Sequence, residues 1–260
     1  MKLDDVQRAA QEQFGKQSHR YGQGHILQNV SDVRDAVEKI TVPPRAQVLD
    51  VATGAGHTGI FLAELGCEVT VADIAQPMLE RAEQMARERG LTVKTQQHAA
   101  EEFPNADGTF DLVTCRVAAH HFSAPEKFIA ETSRVLKPDG FFLLIDGTVE
   151  DDQPEAEAWA HAVEKFRDPS HNRFLTPDTW RKLCVANGLS VQDLKLVPFK
   201  QPDLNWYFET AATTPENREK VLHLIRTVPD SARDLFGVAD EEGKIVWWWQ
   251  RMTLIARKTG

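Results

Sequence analysis

The sequence predicts an α/β fold, with one Rossmann-like, seven-stranded, mostly parallel sheet covered by helices on both faces. Two observations support this prediction. Short apolar runs alternate along the chain with helical patterns of ten or more residues, which is typical of a parallel sheet. A turn that contains Gly54, Gly56 and Gly59 directly follows the first of those apolar runs. N-terminal helices and later helical inserts are expected to cover the sheet as a lid.

The first half of the chain begins with helices and then alternates. Residues up to 14 have the pattern of a short amphipathic helix, and apolar residues at helical spacing predict a second helix over 26–40. A Pro-Pro turn follows that helix. Strands are predicted over 47–52, 67–73, 91–96 and 110–116, with helices over 59–65 and 77–90 between them.

The second half continues the alternation with longer interruptions. Ser123 and Glu126 have the spacing of a capping box, so a helix is expected to begin there and to end at KPDG. FFLLIDG is the fifth strand, and the acidic TVEDDQPEAEAW starts another helical stretch. A helix over 177–188 precedes the sixth strand at 189–199. Helical pieces over 200–244 separate it from the seventh strand, IVWWWQRMTLIAR.

These patterns predict a single domain over residues 1–260. Within it, we expect cap helices in 1–43, a ligand-binding core in 44–148, substrate-side inserts in 149–175 and 200–244, and the last strand in 245–260. A nucleotide-like ligand should lie beyond the carboxyl ends of the strands, near the point where the strand order reverses.

Composition excludes several classes of protein. A formal net charge of −9 over 260 residues argues against binding nucleic acid, which requires clustered Lys and Arg. Three widely spaced cysteines form no disulfide framework or zinc motif. No apolar run is long enough for a membrane span, and the polar N-terminus does not resemble a signal peptide. We therefore expect a cytoplasmic protein, and a homodimer is compatible with the sequence.

The glycine turn by itself fits two kinds of cofactor. G-x-G-x-x-G after a strand, with Asp73 about 20 residues further on, is typical of both NAD(P) sites and S-adenosylmethionine (SAM) sites. Asp50, four residues before Gly54, favours SAM. A carboxylate there would repel a pyrophosphate, whereas it suits a ligand that carries an ammonium and a sulfonium.

The succession of motifs strengthens this interpretation. LDVATGAGHTG is followed by Asp73, an acidic turn after the third strand, FDLVTCRVAAHHF and VLKPDG. In this order the chain resembles class I SAM-dependent methyltransferases of the ubiquinone/menaquinone-biosynthesis (UbiE-like) group, closely from about Gln47 to Gly147. The resemblance implies transfer of a methyl group from SAM to a small molecule, with S-adenosylhomocysteine as the second product.

The resemblance also assigns cofactor residues by position. Asp50, Thr53, Gly54 and Gly56 should surround the methionine portion of SAM, and Asp73 should hold the ribose hydroxyls. Ile74 and Met78 should pack on the faces of the adenine ring, and the turn His98-Ala99-Ala100 should contact its edge. Tyr21 and Arg116 are further candidates for binding the cofactor. The adenine turn departs from the family pattern because the usual carboxylate acceptor for the amino group is missing, so backbone or Glu101 would have to serve. Ala52 stands where relatives often carry glycine.

Candidate catalytic and acceptor residues follow the fourth strand and lie in the lid segments. His120 or His121 could act as a general base near neutral pH, although at least one of them is better explained as a packed structural histidine. A metal site of His98, His120 and His121 lacks a completing carboxylate or cysteine. His25, His171 and Arg173 are candidates for contacting the acceptor. Trp247 and Trp249 share one face of the last strand and fit a core better than an acceptor site.

Two alternatives to a methyltransferase stay open at this stage. One is an NAD(P)-dependent oxidoreductase, and the other is a catalytically silent SAM-binding regulatory protein. The acceptor atom could be oxygen, nitrogen or carbon. Aromatic residues of the inserts suggest a small, partly hydrophobic acceptor: Trp159, Phe166, Trp206, Tyr207 and Phe208.

Overall fold

The computed structural model describes residues 2–22 and 24–260 and contains a seven-stranded sheet. In chain order the strands are β1 Gln47–Val51, β2 Glu68–Asp73, β3 Lys94–Gln97, β4 Phe110–Arg116, β5 Leu136–Thr148, β6 Leu189–Lys200, β7 Ala239–Glu241, β8 Lys244–Val246 and β9 Trp248–Lys258. The sheet order is β3-β2-β1-β4-β5-β9-β6, and β7 and β8 form a separate hairpin. Strand β9 runs antiparallel to both of its neighbours, β5 and β6, and the other neighbouring pairs of the described sheet are parallel.

Ten α-helices of the described residues pack around this sheet. They are α1 Asp5–Gln17, α2 Ser31–Val37, α3 His57–Glu64, α4 Gln76–Glu88, α5 Pro125–Val135, α6 Pro154–Arg167, α7 Pro177–Ala186, α8 Leu204–Thr210, α9 Pro215–Arg226 and α10 Asp230–Phe236. Buried residues of α2, α3 and α4 form the core on one face of the sheet, and those of α5 and α7 form the core on the other. The predicted architecture with helices on both faces is thereby confirmed.

A third core belongs to the inserts. It combines apolar residues of α6, α8, α9 and α10 with Trp247, which lies between β8 and β9. The strand predicted from residue 245 is therefore interrupted. Residues 244–246 pair with β7 in the hairpin, and β9 begins at Trp248. The backbone N–H of Gln201 donates to the carbonyl of Trp247, which holds the insert against the sheet.

Two predicted local structures are wrong. The helix predicted over 26–40 is a 3₁₀ turn at 26–28 followed by α2, because the Arg116 guanidinium takes the carbonyls of Leu27 and Asn29 as acceptors. The capping box is also absent. Ser123 Oγ donates to Glu101 instead, and the Glu101 carboxylate accepts the N–H groups of Ser123 and Ala124 at the start of α5.

The carboxyl ends of β1, β2 and β4 lie side by side at the edge of the sheet where the strand order reverses. Open α/β sheets bind ligands at this position. The segment that contains α1, and the inserts around α6 and α8, cover the same edge. In the part of the chain that the structure describes, no helix has the length and apolar character of a membrane span.

Candidate active site

A cavity of about 900 Å³ opens at the carboxyl ends of β1, β2 and β4, and we call it the first cavity. Nine of the residues predicted to bind a cofactor line it: Tyr21, Thr53, Gly54, Asp73, Ile74, Met78, His98, Ala100 and Arg116. Sequence reasoning missed Gln7, Ala10 and Phe14, which line it from α1. Their helical spacing predicted a helix there, but not which surface that helix would cover.

Each glycine of the turn has its own structural reason. Gly54 has a φ of +55° and lines the first cavity, and an added Cβ would meet no protein atom within 4 Å. Gly56 begins α3 with a φ of +86°, and an added Cβ would lie 2.8 Å from Ala82 Cβ on α4. A Cβ on Gly59 would lie 2.7 Å from Val71 on β2. The turn therefore combines backbone exposed to the cavity with close packing of helix and strand.

Asp50 lies beneath the glycine turn and does not line the first cavity. It is 1% exposed, and its carboxylate accepts hydrogen bonds from Thr53 Oγ1 at 2.5 Å, Gly59 N at 3.0 Å and Thr114 Oγ1 at 2.7 Å. Burial raises the pKa of Asp50, while these donors act in the opposite direction. The carboxylate thus orders the turn from below. Gly56 and Ala99 also lie outside the lining of this cavity.

Asp73 ends β2 with its carboxylate in the first cavity. Oδ2 accepts from Gly54 N and Oδ1 from Ala75 N, both at 2.9 Å, so the side chain also braces the glycine turn. Burial raises the pKa of Asp73 to about 6, and these two backbone donors oppose that rise. A carboxylate held at the end of the second strand is the group that binds ribose hydroxyls in related folds.

The opposite wall of the first cavity is more apolar. Ile74 and Met78 line it, and His98 and Ala100 come from the turn after β3. His98 Nδ1 donates to the carbonyl of Ala99 at 2.8 Å. Glu101, the acceptor considered for an adenine amino group, already accepts from Gln7 Nε2 and from the start of α5. Its carboxylate therefore links α1 to the start of α5.

Arg116 lines the first cavity, but its guanidinium is engaged with the N-terminal segment. Nε and Nη2 pair with the two oxygens of Asp32, and Nη1 and Nη2 donate to the carbonyls of Leu27 and Asn29. A buried guanidinium with its donors used in this way positions backbone. Arg116 therefore holds the 26–32 segment against the end of β4.

A second cavity of about 940 Å³ adjoins the first. The two share a wall of Phe14, Tyr21, Leu27, Val117 and His121. The second cavity extends from this wall under the inserts and is rich in aromatic side chains, including Phe174, Phe199, Trp206, Tyr207 and Trp249. Two adjacent cavities with common lining residues can hold two ligands side by side.

His120 lines the second cavity and is held by Asp146 at the carboxyl end of β5. His120 Nδ1 lies 2.6 Å from Asp146 Oδ1, and the backbone N–H of His120 donates to Oδ2 at 2.8 Å. Burial disfavours the charged ring, but the carboxylates of Asp146, Glu164 and Asp168 together outweigh it, so the pKa of His120 is raised. No residue of the described chain hydrogen-bonds to Nε2. This pair has the geometry of a positioned general base.

The other candidate histidines occupy different surroundings. His121 lies on the shared wall, where its Nδ1 contacts the carbonyl of Ser170 at 3.0 Å, and burial together with His120 lowers its pKa to about 4. His25 lines the second cavity and stacks on Tyr21 with ring centroids 4.6 Å apart. His171 is buried against Phe174 and Arg173 is exposed, and neither lines the first or the second cavity.

Asp146 is the functional candidate that the sequence analysis missed. Its signal was an acid at the end of a buried strand, in FFLLIDG. Trp249 lines the second cavity, whereas Trp247 is fully buried in the core of the inserts. Among the described residues, no group of three His, Cys, Asp or Glu side chains has the geometry of a metal site.

Comparisons with known proteins agree with this geometry. The family described as "Methyltransferase domain" matches residues 49–144. The uncharacterized methyltransferase YcgJ of Bacillus subtilis is 33% identical over 225 residues, which cover 86% of this chain and 88% of that protein. Its crystal structure superposes with a TM-score of 0.83 at 29% identity, covering 88% of this chain and 98% of that one.

More distant relatives match parts of the chain or its fold. Demethylmenaquinone methyltransferase of Thermus thermophilus is 37% identical over 115 residues, which are 44% of this chain and 52% of that protein. Geranyl diphosphate C-methyltransferase of Streptomyces coelicolor, solved with Mg²⁺, geranyl diphosphate and S-adenosylhomocysteine, shares the fold. Its TM-score is 0.67 at 12% identity, with both chains covered completely.

The same conclusion follows from YcgJ, from the matched domain family, from the glycine turn and from the sheet order: all four indicate a methyltransferase. They exclude the NAD(P)-dependent oxidoreductase that the glycine turn alone allowed. The chain therefore belongs to the class I SAM-dependent methyltransferases of the ubiquinone/menaquinone-biosynthesis (UbiE-like) group.

Proposed function

We propose that this chain binds SAM in the first cavity and methylates a small molecule held in the second, with His120 as the general base. The observation that supports this best is the shared wall of the two cavities, since it brings an acceptor beside the donor. In-line transfer needs the two reacting atoms at roughly 3 Å and aligned, and such positioning contributes several kcal/mol.

The residues of the first cavity fit the cofactor. The open space beside Gly54 accepts a close approach of ligand to backbone, and Asp73 offers its carboxylate to ribose hydroxyls. Ile74 and Met78 provide apolar surface for the adenine ring. When bound there, SAM would supply an electrophilic methyl group on sulfur and leave as S-adenosylhomocysteine.

His120 supplies the proton chemistry. Because Nδ1 is hydrogen-bonded to Asp146, the ring keeps its proton on Nδ1 and its lone pair on Nε2, toward the second cavity. Nε2 can remove the proton of the acceptor as the acceptor atom is methylated. Asp146 then stabilises the imidazolium, and we assign it a positioning role.

Asp73→Ala tests the cofactor site. We expect calorimetric affinity for SAM and for S-adenosylhomocysteine to fall by at least about 100-fold, because a carboxylate that accepts two hydroxyl groups contributes about 1.5–3 kcal/mol per hydrogen bond. Asp73→Asn keeps the shape and one acceptor oxygen, and should lose less. Asp35→Ala, on the exposed face of α2, is the matched control. Unchanged affinity in folded Asp73→Ala would contradict the site.

A silent SAM-binding protein is the second candidate function, and the His120–Asp146 pair argues against it. The two candidates separate in a screen of small hydroxyl, amine and carbon acceptors that monitors S-adenosylhomocysteine. An active enzyme releases it with at least one acceptor, and His120→Phe abolishes that release while still binding SAM. SAM binding without turnover by the unaltered protein would favour the silent alternative.

A further inference from the structure

One end of the second cavity has a recognition surface that the transfer chemistry does not require. The antiparallel strands β6 and β9 place Phe199 opposite Trp249, and Arg251 lies two residues beyond Trp249 on the same face of β9. Phe199, Trp249 and Arg251 all line the second cavity, and none of them lines the first.

Arg251 is a largely buried cation without a committed partner. Its side chain is 19% exposed, and its nearest carboxylate oxygen is Asp32 Oδ2 at 3.6 Å, beyond hydrogen-bond distance. Arg116 already pairs with both oxygens of that carboxylate. Within residues 2–22 and 24–260, no protein acceptor hydrogen-bonds to an Arg251 N–H, and its guanidinium lies over the Phe199 ring at 4.2 Å.

The other charged groups of the second cavity are engaged. Glu164 accepts from Arg167 Nη1 at 3.0 Å and from Tyr207 Oη at 2.7 Å. Arg167 also donates to the carbonyl of Tyr207 and to Thr210. Asp168 accepts from the backbone N–H and hydroxyl of Ser170. Arg251 differs from them because it makes no hydrogen bond within the described chain, so it can receive an anion.

Aromatic side chains form much of the surface near Arg251. Phe199, Trp249 and Phe174 line the second cavity, and the ring centroids of Phe174 and Trp249 lie 6.1 Å apart. Such a lining favours an aromatic ligand.

We propose that the acceptor is a small aromatic hydroxy acid whose carboxylate binds to Arg251 and whose hydroxyl faces His120; this rests on the proposed function. One guanidinium can bind a carboxylate bidentately and balances its single charge, whereas a phosphate dianion would keep one charge unpaired in the cavity. In the reaction, the hydroxyl proton passes to His120 Nε2 while the oxygen forms a bond to the methyl carbon. The carbon–sulfur bond breaks, its electron pair stays on sulfur, and an aryl methyl ether and S-adenosylhomocysteine result.

The test uses the full chain saturated with S-adenosylhomocysteine and calorimetric titration of matched probes. These are 3- and 4-hydroxybenzoate and the corresponding neutral hydroxybenzamides. We expect at least one acid to bind about 10-fold or more tightly than its amide. Arg251→Met should weaken binding of that acid by about 10- to 100-fold and leave the amide unchanged, as expected for charge-assisted hydrogen bonds. The affinity of Arg251→Lys for the acid should lie between those of the unaltered protein and of Arg251→Met.

Arg257→Met is the matched control, since Arg257 lies on the same strand but pairs with Asp139 outside the cavity. It should behave as the unaltered protein. The proposal is overturned if neither acid binds, if acid and amide bind equally, or if Arg251→Met keeps the affinity for the acid. Loss of S-adenosylhomocysteine affinity in Arg251→Met would also overturn it, by assigning Arg251 to the cofactor. Failure of the unaltered protein to bind S-adenosylhomocysteine would instead reject the proposed function itself.

Discussion

At the scale of single residues, two non-glycine positions at the edge of the sheet adopt left-handed backbone. Ala52, at the end of β1, has a φ of +52°, and Val117, after β4, has a φ of +53°. Both line the first cavity, and Val117 also lines the second. Left-handed backbone costs an L-residue about 1–2 kcal/mol, and such strain concentrates at functional sites. Glycine at the position of Ala52 would avoid this cost, which explains physically why relatives often carry glycine there.

Ala52→Gly should therefore stabilise the protein. Release of the left-handed backbone exceeds the extra entropy that glycine gains in the unfolded chain, so we expect the free energy of unfolding to rise by about 0.5–1 kcal/mol. Denaturant unfolding measures it. Ala158→Gly, at an exposed position in the interior of helix α6, is the control, and its unfolding free energy should fall by a similar amount. A lower unfolding free energy in Ala52→Gly would contradict the argument.

His120 predicts the pH dependence of turnover. A general base must be neutral, and Asp146 raises the pKa of His120 above its ordinary 6.5, so kcat/KM should fall as the pH drops through that raised value. Asp146→Asn removes the charge that raises the pKa. The acidic limb should then move to lower pH by about 1 unit or more, and the plateau rate should fall by about 10- to 1000-fold because the ring loses its orientation. Identical limbs in both proteins would exclude His120 as the base.

At the scale of elements, helix α1 is the part of the lid that touches both the cofactor side and the inserts. Gln7 Nε2 donates to Glu101, and Gln11 Nε2 donates to the carbonyl of Ile74 at 2.9 Å. On the other side, Gln13 and Gln17 both donate to the carbonyl of Ala211 next to α8. Ala10 and Phe14 face the first cavity between these contacts. We therefore expect that α1 must move before a ligand bound at this edge can leave.

Gln7→Ala/Gln11→Ala should speed the release of SAM. Loss of two hydrogen bonds of about 1 kcal/mol each predicts a dissociation rate about 10- to 30-fold faster, measured by stopped-flow displacement. Gln84→Ala, which removes an exposed pair with Glu88 on α4, is the control and should leave the rate unchanged. An unchanged rate in the double variant would show that α1 does not limit ligand exit.

At the scale of the whole molecule, the lid and inserts bury several histidines against the edge of the sheet. Burial lowers the pKa of His25 to about 4 and, together with His120, that of His121 to about 4. Burial also depresses the pKa of His171, whose ring nitrogens have no hydrogen-bond partner in the described chain. Burial raises the pKa values of Asp50 and Asp73. Their effect on the pH dependence of stability is therefore opposite to that of the buried histidines. Packing the lid thus makes folding sensitive to acid.

His171→Phe tests this linkage. The folded state keeps His171 neutral, while the unfolded chain binds a proton near pH 6.5, so this residue's contribution to stability is complete at higher pH and is lost as the pH falls below about 6.5. A phenylalanine at this position cannot bind a proton, so the variant does not lose this stability. Below about pH 6.5, the difference in unfolding free energy between the variant and the unaltered protein should rise by up to about 1.4 kcal/mol per pH unit. Parallel pH profiles of the two proteins would contradict the burial argument.

The sequence predicted the sheet and the glycine turn at its edge well because their signals are local. Strand, glycine turn and helix follow one another within a few residues, and nine predicted cofactor residues line one cavity. The errors have nonlocal causes. Glu101 replaces the capping box at Ser123, and Arg116 ends the predicted helix at 26–40, and both act across many residues of sequence. Asp50 was assigned to the ligand, yet it serves the turn from beneath.

By itself, the sequence determined the fold class, the position of the glycine turn and the family, since periodicity, turn residues and motif order are properties of neighbouring positions. Tertiary structure alone decided which side chains meet. The pairing of His120 with Asp146, the cover of α1 over the first cavity and the uncommitted Arg251 in the second all depend on packing between distant segments. Local preference cannot encode such contacts, because they form only when the strands and the lid come together.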